Sequence, residues 1–246
     1  MQVLNKEIYD PMLKVRTFRA IDDIDSCRIF AEGHANVLRD YGITKVTSSR
    51  NDWFENPGVY VALVETLDGS EVVGGERIHI ANNLVPLPIE DAVSVVESGI
   101  HPLVKSYADN KITGELCGLW NSKSIAGRGV SFMLTKLGVA MAHLLGMDSL
   151  FVLCSPYTVS MCQQVGFTIE TSIGNKGTFI YPKLDLIATA LVIKDMWSLS
   201  GADQNYSKQI FEMIQTPSGS MIETGQKGET KVFYNISLPN LKNEKV

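Results

Sequence analysis

The feature that most constrains the fold is a glycine-bearing loop that runs directly into a long apolar helix. Residues 121–146 read NSKSIAGRGVSFMLTKLGVAMAHLLG. From Val130 to Leu145 the apolar residues recur at steps of three and four, which predicts an amphipathic helix, and Gly146 is suited to cap its end. Strand patterns lie on either side, at 112–120 and 148–155. We therefore expect the helix to cross over between two strands of one sheet.

The other periodic segments predict a mixed α+β fold. Alternating apolar residues indicate a strand at 13–20, a helical pattern follows it, and the pair Asp68-Gly69 joins two strands as a hairpin. The order continues with a long insertion at about 82–111 that holds two short helices, and then with strand, helix, strand, helix and further strands. This order predicts a mixed, mostly antiparallel sheet with helices on both faces.

The chain divides by composition into three parts. Residues 1–12 form an irregular lead-in, residues 13–195 form the main domain, and residues 196–246 form a C-terminal extension rich in Ser, Gly, Lys and Asn. Within the extension, the pattern predicts one weak helix near 209–215 and one strand near 231–238.

Composition argues against several classes of function. The net charge of −5 disfavours nucleic acid as the main partner, and no apolar run approaches the length of a membrane span. The first residues have no apolar signal core, so a secretory leader is not expected. Reduced thiols in a cytoplasmic protein without a bound metal are expected, because no metal-ligand spacing relates the four cysteines Cys27, Cys117, Cys154 and Cys162.

The glycine loop has the features of a phosphate site. Backbone N–H groups at a helix N-terminus carry about half a positive charge, Gly127 and Gly129 leave the backbone uncovered, and Arg128 adds a cation. Such a place suits a phosphate group. The alternative is that the glycines serve only a tight turn from strand to helix. The motif is neither a Walker A loop nor the three-glycine dinucleotide fingerprint.

Residues 114–167 resemble the central motif of the GCN5-related N-acetyltransferase (GNAT) superfamily. In that family a strand is followed by Gln/Arg-x-x-Gly-x-Gly/Ala, a helix, a strand, a short helix and a Gly-Phe pair. Gly129 matches the invariant glycine, and Gly166-Phe167 matches the closing pair. The resemblance implies an acyl-coenzyme A N-acyltransferase fold and an acyltransferase activity.

The sequence departs from this family motif at two positions. Ala126 stands where Gln or Arg is usual, and Ser131 stands where Gly or Ala is usual. The resemblance still implies a coenzyme A thioester, acetyl-CoA or a longer acyl-CoA, as the acyl donor. The residues that it implies in donor binding are Leu119, Trp120, Asn121, Ala126, Gly127, Arg128, Gly129, Val130 and Ser131.

The same resemblance implies catalytic roles for three residues. Glu115 falls where many of these transferases carry a glutamate that takes a proton from the acceptor amine, although it can also be a solvated strand residue. The backbone N–H of Leu119 would polarise the thioester carbonyl, and Leu119 and Asn121 would pair with the pantetheine arm. Cys162 occupies the place of the usual tyrosine that protonates the leaving thiolate, or is a buried, inert cysteine.

A narrower stretch resembles acyl-homoserine-lactone synthases and N-acyl amino acid synthases. The segment VYVALVETLDGSEVVGGERIHIANN precedes a long helical connection and then GELCGLW. Arg77 and Glu115 match positions that those synthases conserve, whereas Cys117-Gly118 replaces their frequent Ser-Arg pair. This resemblance implies that longer acyl groups, from coenzyme A or from acyl carrier protein, are alternative donors.

Four further residues are candidates on the acceptor side of the reaction. Glu76 and Arg77 lie on the strand of the narrower resemblance and are expected near the substrate. Tyr157 lies upstream of the cysteine at the usual tyrosine position and is a second candidate for the acid. His79, close to Glu76, is an alternative base.

The insertion carries apolar residues that could line an acyl pocket, although such residues more often form local core. They are Leu84, Val85, Leu87, Ile89, Val93, Val95 and Val96.

Taken together, the residues predict an N-acyltransferase that moves an acyl group from coenzyme A to a small-molecule amine. One alternative is a long-chain synthase fed by the acidic acyl carrier protein, for which a basic face of Arg16, Arg19, Arg50 or Lys123 would be needed. The other is a binding module that senses acyl-CoA. Such a module would keep the phosphate loop but lack an open acceptor cleft beside Glu115.

Overall fold

The computed structural model describes residues 11–42, 51–82, 85–181 and 186–238. Within these ranges ten strands form one sheet in the order β6-β8-β5-β4-β3-β2-β1-β10-β9, with β7 also paired to β8. The strands are β1 Met12–Arg19, β2 Val59–Thr66, β3 Val72–Ile80, β4 Thr113–Asn121, β5 Ser149–Cys154, β6 Thr168–Ile169, β7 Thr178–Ile180, β8 Ile187–Ile193, β9 Ser218–Gly225 and β10 Gly228–Asn235. The helices are α1 Ile24–Asp40, α2 Pro88–Val93, α3 Ile100–Ala108, α4 Val130–Leu144, α5 Pro156–Gln164 and α6 Gln204–Gln215.

Most neighbouring strands are antiparallel, as predicted. Among the described strands, the parallel pairs are β4 with β5 and β1 with β10. The first pair is joined by the predicted crossover helix α4, since antiparallel hairpins cannot connect parallel neighbours. The Asp23 side chain caps α1 by accepting from the N–H of Ser26. In the predicted β2–β3 hairpin, Gly69 takes a positive φ of 77°.

Helices cover both faces of the sheet, which confirms the expected mixed architecture. On β3, Gly75 and Arg77 face the Phe30 ring of α1. The intervening residue, Glu76, faces Gly138 of α4. Because successive side chains of a strand point to opposite faces, α1 and α4 lie on opposite sides of the sheet. The insertion helices α2 and α3 pack against Phe151 of β5 and belong to a second, smaller core.

The C-terminal segment continues the same sheet. Strand β10 pairs in parallel with β1, with Met12 opposite Lys231, and β9 forms the outer edge. Helix α6 extends the predicted 209–215 helix towards its N-terminus and packs on α4. The ammonium of Lys136 on α4 binds Glu223 on β9 and Gln209 on α6, and the Lys136 and Glu223 side chains are both almost fully buried. These contacts tie α4, α6 and β9 together.

Across the described ranges, no helix combines the length and the apolar character that crossing a membrane requires.

Candidate functional site

The central strands β4 and β5 open apart at one end of the sheet. Their ladder runs only from Thr113 opposite Ser149 to Glu115 opposite Phe151. Strand β4 then continues to Asn121 along β3, while β5 continues to Cys154 along β8. The two strands thus leave a gap in which the facing edge of β4 has no strand partner in the described chain. An exposed strand edge of this kind can pair with an extended ligand.

A β-bulge marks β4 beside this gap. Gly75 pairs with Trp120 and Arg77 pairs with Cys117, so Gly118 and Leu119 together face the single residue Glu76. Gly118 has a φ of 62°, in the left-handed region that favours glycine. A bulge leaves its extra residue out of the ladder and redirects the backbone there. The predicted oxyanion donor, the N–H of Leu119, therefore lies at an irregular point of β4. In the sequence, the feature that indicates this bulge is a glycine inside an apolar strand pattern.

The predicted donor-binding residues lie together where β4 ends and α4 begins. Gly127 and Gly129 have φ values of 80° and 81°, and Gly129 is the residue immediately before α4. The Ser131 hydroxyl donates to the Asn121 side chain, which links the end of the strand to the first turn of the helix. Ala126 is half-buried within the loop, and Val130 is buried.

Trp120 contributes only its backbone to this region. Its ring packs against Phe30 of α1 and fills the space beside Gly33, where a Cβ would lie 2.1 Å from it. The side chain therefore points to the α1 face, away from the glycine loop.

The turn between β9 and β10, residues 225–228, packs directly on the glycine loop. The N–H of Lys227 donates to the carbonyl oxygen of Gly127 at 2.9 Å. A Cβ on Gly225 would lie 2.2 Å from the same oxygen, and a Cβ on Gly129 would lie 3.1 Å from the Cβ of Glu223. Close packing and positive φ values therefore require glycine at these loop positions, whether or not a phosphate binds there.

Glu115 lies on β4 at the last rung before the gap, and its side chain is only 2% exposed. Its Oε2 accepts a hydrogen bond of 2.6 Å from the N–H of Ile89 in α2. Burial raises the pKa of Glu115 to about 8, although the Ile89 bond and the positive charge of Arg77 act in the opposite direction. The carboxyl thus titrates near the range in which a general base works.

Arg77 and His79 line the same face of the sheet as Glu115. The guanidinium of Arg77 is buried, lies 4.3 Å above the Trp53 ring and donates through Nε to Nε2 of His79 at 2.9 Å. Burial, with the charge of Arg77, holds the pKa of His79 well below its usual range. The Nε2 lone pair of His79 is therefore already engaged, which weakens the alternative of His79 as base.

Glu76 lies on the opposite face from Arg77, its neighbour in sequence. The side chain is fully buried against Gly138, and neither carboxyl oxygen has a hydrogen-bond partner within the described ranges. Burial raises the pKa of Glu76 well above its usual value, although the nearby Gly138 backbone acts in the opposite direction. The structure thus separates Glu76 from the cluster of Arg77 and Glu115.

No protein-family model and no curated protein sequence matches this chain, but solved structures do. FeeM, an N-acyl amino acid synthase from uncultured soil microbes, matches with a TM-score of 0.60 at 16% identity, over 80% of this chain and 98% of FeeM. The chain has the GNAT fold. The CoA-dependent acyl-homoserine lactone synthase BjaI matches with a TM-score of 0.52 at 12% identity, over 93% of this chain and 95% of BjaI. An acyl-CoA N-acyltransferase from Pseudomonas aeruginosa matches with a TM-score of 0.51 at 10% identity, over 73% of this chain and 98% of that protein.

Cys162 lies on α5, beside the gap between β4 and β5. Its Sγ lies 3.3 Å from Sγ of Cys154, the last residue of β5, and both side chains are buried. The contact with Cys154 and burial raise the pKa of the Cys162 thiol, so its proton is held firmly. This environment favours the inert alternative for Cys162. Tyr157, at the start of α5, is 95% exposed.

The apolar residues of the insertion separate into two groups. Leu87, Ile89 and Val93 are fully buried in the second core together with Phe151, whereas Val85, Val95 and Val96 are exposed. Leu84 lies outside the described residues. The buried group therefore forms local core, the second of the two alternatives.

Two of the four residues of the predicted basic face are paired with carboxylates. Arg16 binds Glu65 and Asp23, and Lys123 binds Asp40 at 3.0 Å. The other two positions behave differently. Arg19 donates to the carbonyl of Pro57, and Arg50 lies outside the described residues.

A cleft of about 390 Å³ lies at the other end of β4 and β5, where both strands begin. It was not predicted from the sequence. Its lining consists of Ser106, Tyr107, Lys111, Asp148, Ser149 and Lys194. Among the described residues, no group of three or more His, Cys, Asp or Glu side chains is placed to hold a metal ion.

Proposed function

We propose that this chain is a cytoplasmic N-acyltransferase that moves an acyl group from coenzyme A to a small-molecule amine. The observation that carries the proposal is the gap between β4 and β5 beside the bulge at Gly118 and Leu119. A thioester arm lying in the gap can pair with the edge of β4 like an added strand, with its carbonyl at the bulge. The phosphates of the donor would lie beyond the end of β4, against residues 127–131.

The reaction joins an amine to the acyl carbon and releases the thiol. The amine nitrogen loses a proton to Glu115, directly or through a water, and attacks the thioester carbonyl carbon. Negative charge then develops on the carbonyl oxygen, where the N–H of Leu119 stabilises it. Collapse of this intermediate breaks the carbon–sulfur bond, and the departing thiolate takes up a proton. The products are an amide and free coenzyme A.

The pKa of Glu115 supports its role as base. With a value of about 8, roughly a tenth of the molecules carry the ionised carboxylate at pH 7, and about half carry it at pH 8. Arg77, on the same face, favours the ionised form. An acceptor that carries an anionic group would also find a positive charge here.

One observation favours the alternative of an acyl-CoA sensor. Glu115 is closed off by α2, whose Ile89 N–H occupies one carboxyl oxygen. An amine can contact Glu115 directly only if the insertion moves aside, and otherwise it must pass its proton through a water, whereas a sensor needs neither. The long-chain synthase alternative is supported by the likeness to FeeM, which is an N-acyl amino acid synthase. It is weakened by the packed insertion core and by the paired basic residues.

The test is an acyl-transfer assay with a broad panel of amines, among them amino acids and polyamines. Release of coenzyme A is followed by thiol titration, and the amide product is identified by mass spectrometry. Glu115→Gln keeps the shape of the side chain but removes the base, so turnover should fall about 10²–10⁴-fold. Glu71→Gln, an exposed carboxylate in the β2–β3 turn, is the matched control and should retain the wild-type rate. Binding of acetyl-CoA without turnover on any amine would identify the sensor instead.

A further inference from the structure

The C-terminal hairpin of β9 and β10 brings a lysine to the glycine loop. We infer that Lys227, in the turn of this hairpin, is a phosphate-binding residue of the acyl donor site. The inference rests on the proposed function, and it adds to that site a residue about a hundred positions beyond the loop. Neither the glycine motif nor the hairpin sequence alone gives a reason to connect them.

A backbone hydrogen bond holds Lys227 against the glycine loop. The N–H of Lys227 donates to the carbonyl of Gly127, and three carbons of its side chain, Cγ to Cε, lie 3.3 to 3.5 Å from the position that a Cβ on Gly127 would take. The aliphatic stem therefore runs across the surface of Gly127. A lysine can lie along the backbone in this way and leave its ammonium in water.

The charge of Lys227 is available for a ligand. The residue is exposed, and none of the carboxylates that the structure describes forms an ion pair with it. Nη1 of Arg128 comes within 3.3 Å of the position that a Cβ on Gly228 would take, so a second cation from the loop reaches the same turn. The side chains of Lys227 and Arg128, from different parts of the chain, thus both lie beside this turn.

The hairpin is held in place by its own buried contacts. Glu223, two residues before the end of β9, forms the buried ion pair with Lys136 of α4. Gly225 fits against the Gly127 carbonyl only because it has no Cβ. The backbone of Lys227 is therefore held in place before any donor binds, which lowers the entropic cost of a phosphate contact.

Coenzyme A suits a lysine at this loop because it carries a pyrophosphate and a 3′-phosphate. The protein has a net charge of −5, so a polyanionic donor is repelled at long range. The positive charge of Lys227 offsets this repulsion locally. Pantetheine, which forms the other half of the donor, carries no phosphate and would not need this charge.

The experiment is calorimetric titration of acetyl-CoA into the full-length protein and two variants. Lys227→Gln should raise the Kd about tenfold, the size expected for the loss of one charge-assisted contact at a surface. Lys208→Gln is the control, because it removes one exposed lysine from α6 in the same C-terminal segment. Its Kd should stay within twofold of the wild-type value. Thermal melting checks that all three proteins are folded.

A second ligand separates a phosphate contact from a general loosening of the site. S-acetylpantetheine, which has the thioester arm without the nucleotide, should bind wild type and Lys227→Gln equally. A Kd for acetyl-CoA that Lys227→Gln leaves within twofold of wild type overturns the inference while the proposed function stands. Equal weakening by Lys208→Gln, or weakening of both ligands, overturns it as well. If the wild-type protein itself does not bind acetyl-CoA, the proposed function fails.

Discussion

The titration of Glu115 predicts how the stability of the protein depends on pH. In the folded protein its pKa is about 8, against an ordinary value of 4.5. Above pH 4.5 the unfolded chain loses this proton while the folded chain keeps it, so the free energy of unfolding decreases as pH rises. The decrease ends near pH 8, where the folded protein also ionises. Between pH 5 and pH 8 this one group should remove about 3–4 kcal/mol of stability.

Glu115→Gln removes this titration while retaining an oxygen that can accept from the N–H of Ile89. The stability of the variant should therefore rise by about 3–4 kcal/mol relative to wild type on going from pH 5 to pH 8. Glu76 also has a raised pKa and adds a pH dependence of its own. Its contribution is present in both proteins and cancels in the difference, to the extent that the two sites do not interact.

The assay is urea unfolding at pH 5, 6, 7 and 8, followed by tryptophan fluorescence. Glu71→Gln serves as the control for the loss of one surface carboxylate, and its difference from wild type should not depend on pH. A stability difference between Glu115→Gln and wild type that is equal at pH 5 and pH 8 would refute the reasoning. It would mean that Glu115 is already ionised in the folded protein at pH 5. The same pKa predicts that kcat/KM rises up to about pH 8 and then levels off.

The buried ion pair predicts that Glu223→Gln costs about 3–5 kcal/mol, because Lys136 is left buried without a counter-charge, and that Lys136→Met with Glu223→Leu recovers most of this loss in urea unfolding. A double variant that is no more stable than Glu223→Gln would contradict this prediction. Cys162→Ala should lower turnover less than tenfold at saturating donor, since its thiol holds its proton firmly; a hundredfold loss would assign it the role of acid. Octanoyl-CoA and acetyl-CoA should bind within tenfold of each other in calorimetry, because the buried insertion residues fill their own core. Six buried methylenes would instead contribute about 5 kcal/mol, or more than a thousandfold.

Much of the fold followed from local patterns in the sequence. Helix α4, the β2–β3 hairpin and the short helices of the insertion all carry periodicity or turn residues that specify them. Strand β9 was missed because residues 218–225, SGSMIETG, combine small and polar residues with little apolar alternation. This segment becomes a strand by pairing with β10, which in turn pairs with β1 about two hundred residues earlier in the chain.

The site was predicted in part, and the limits have physical causes. The motif placed Glu115, Leu119 and the glycine loop in neighbouring elements, and these elements are adjacent in the structure. The sequence did not indicate that α2 covers Glu115, because the contact joins a side chain to a backbone N–H 26 residues away. It also gave no sign that the β9–β10 turn packs on the glycine loop. Both contacts depend on packing between elements that no local pattern encodes.

A structure of the protein crystallised with acetyl-CoA tests the central claim most directly. We predict that the pantetheine arm lies between residues 116–121 of β4 and residues 152–154 of β5. The thioester oxygen should lie within hydrogen-bonding distance of the N–H of Leu119, and the phosphates should lie at residues 127–131. Acetyl-CoA bound elsewhere, for example in the cleft beside Tyr107 and Lys194, with the gap between β4 and β5 empty, would contradict the account.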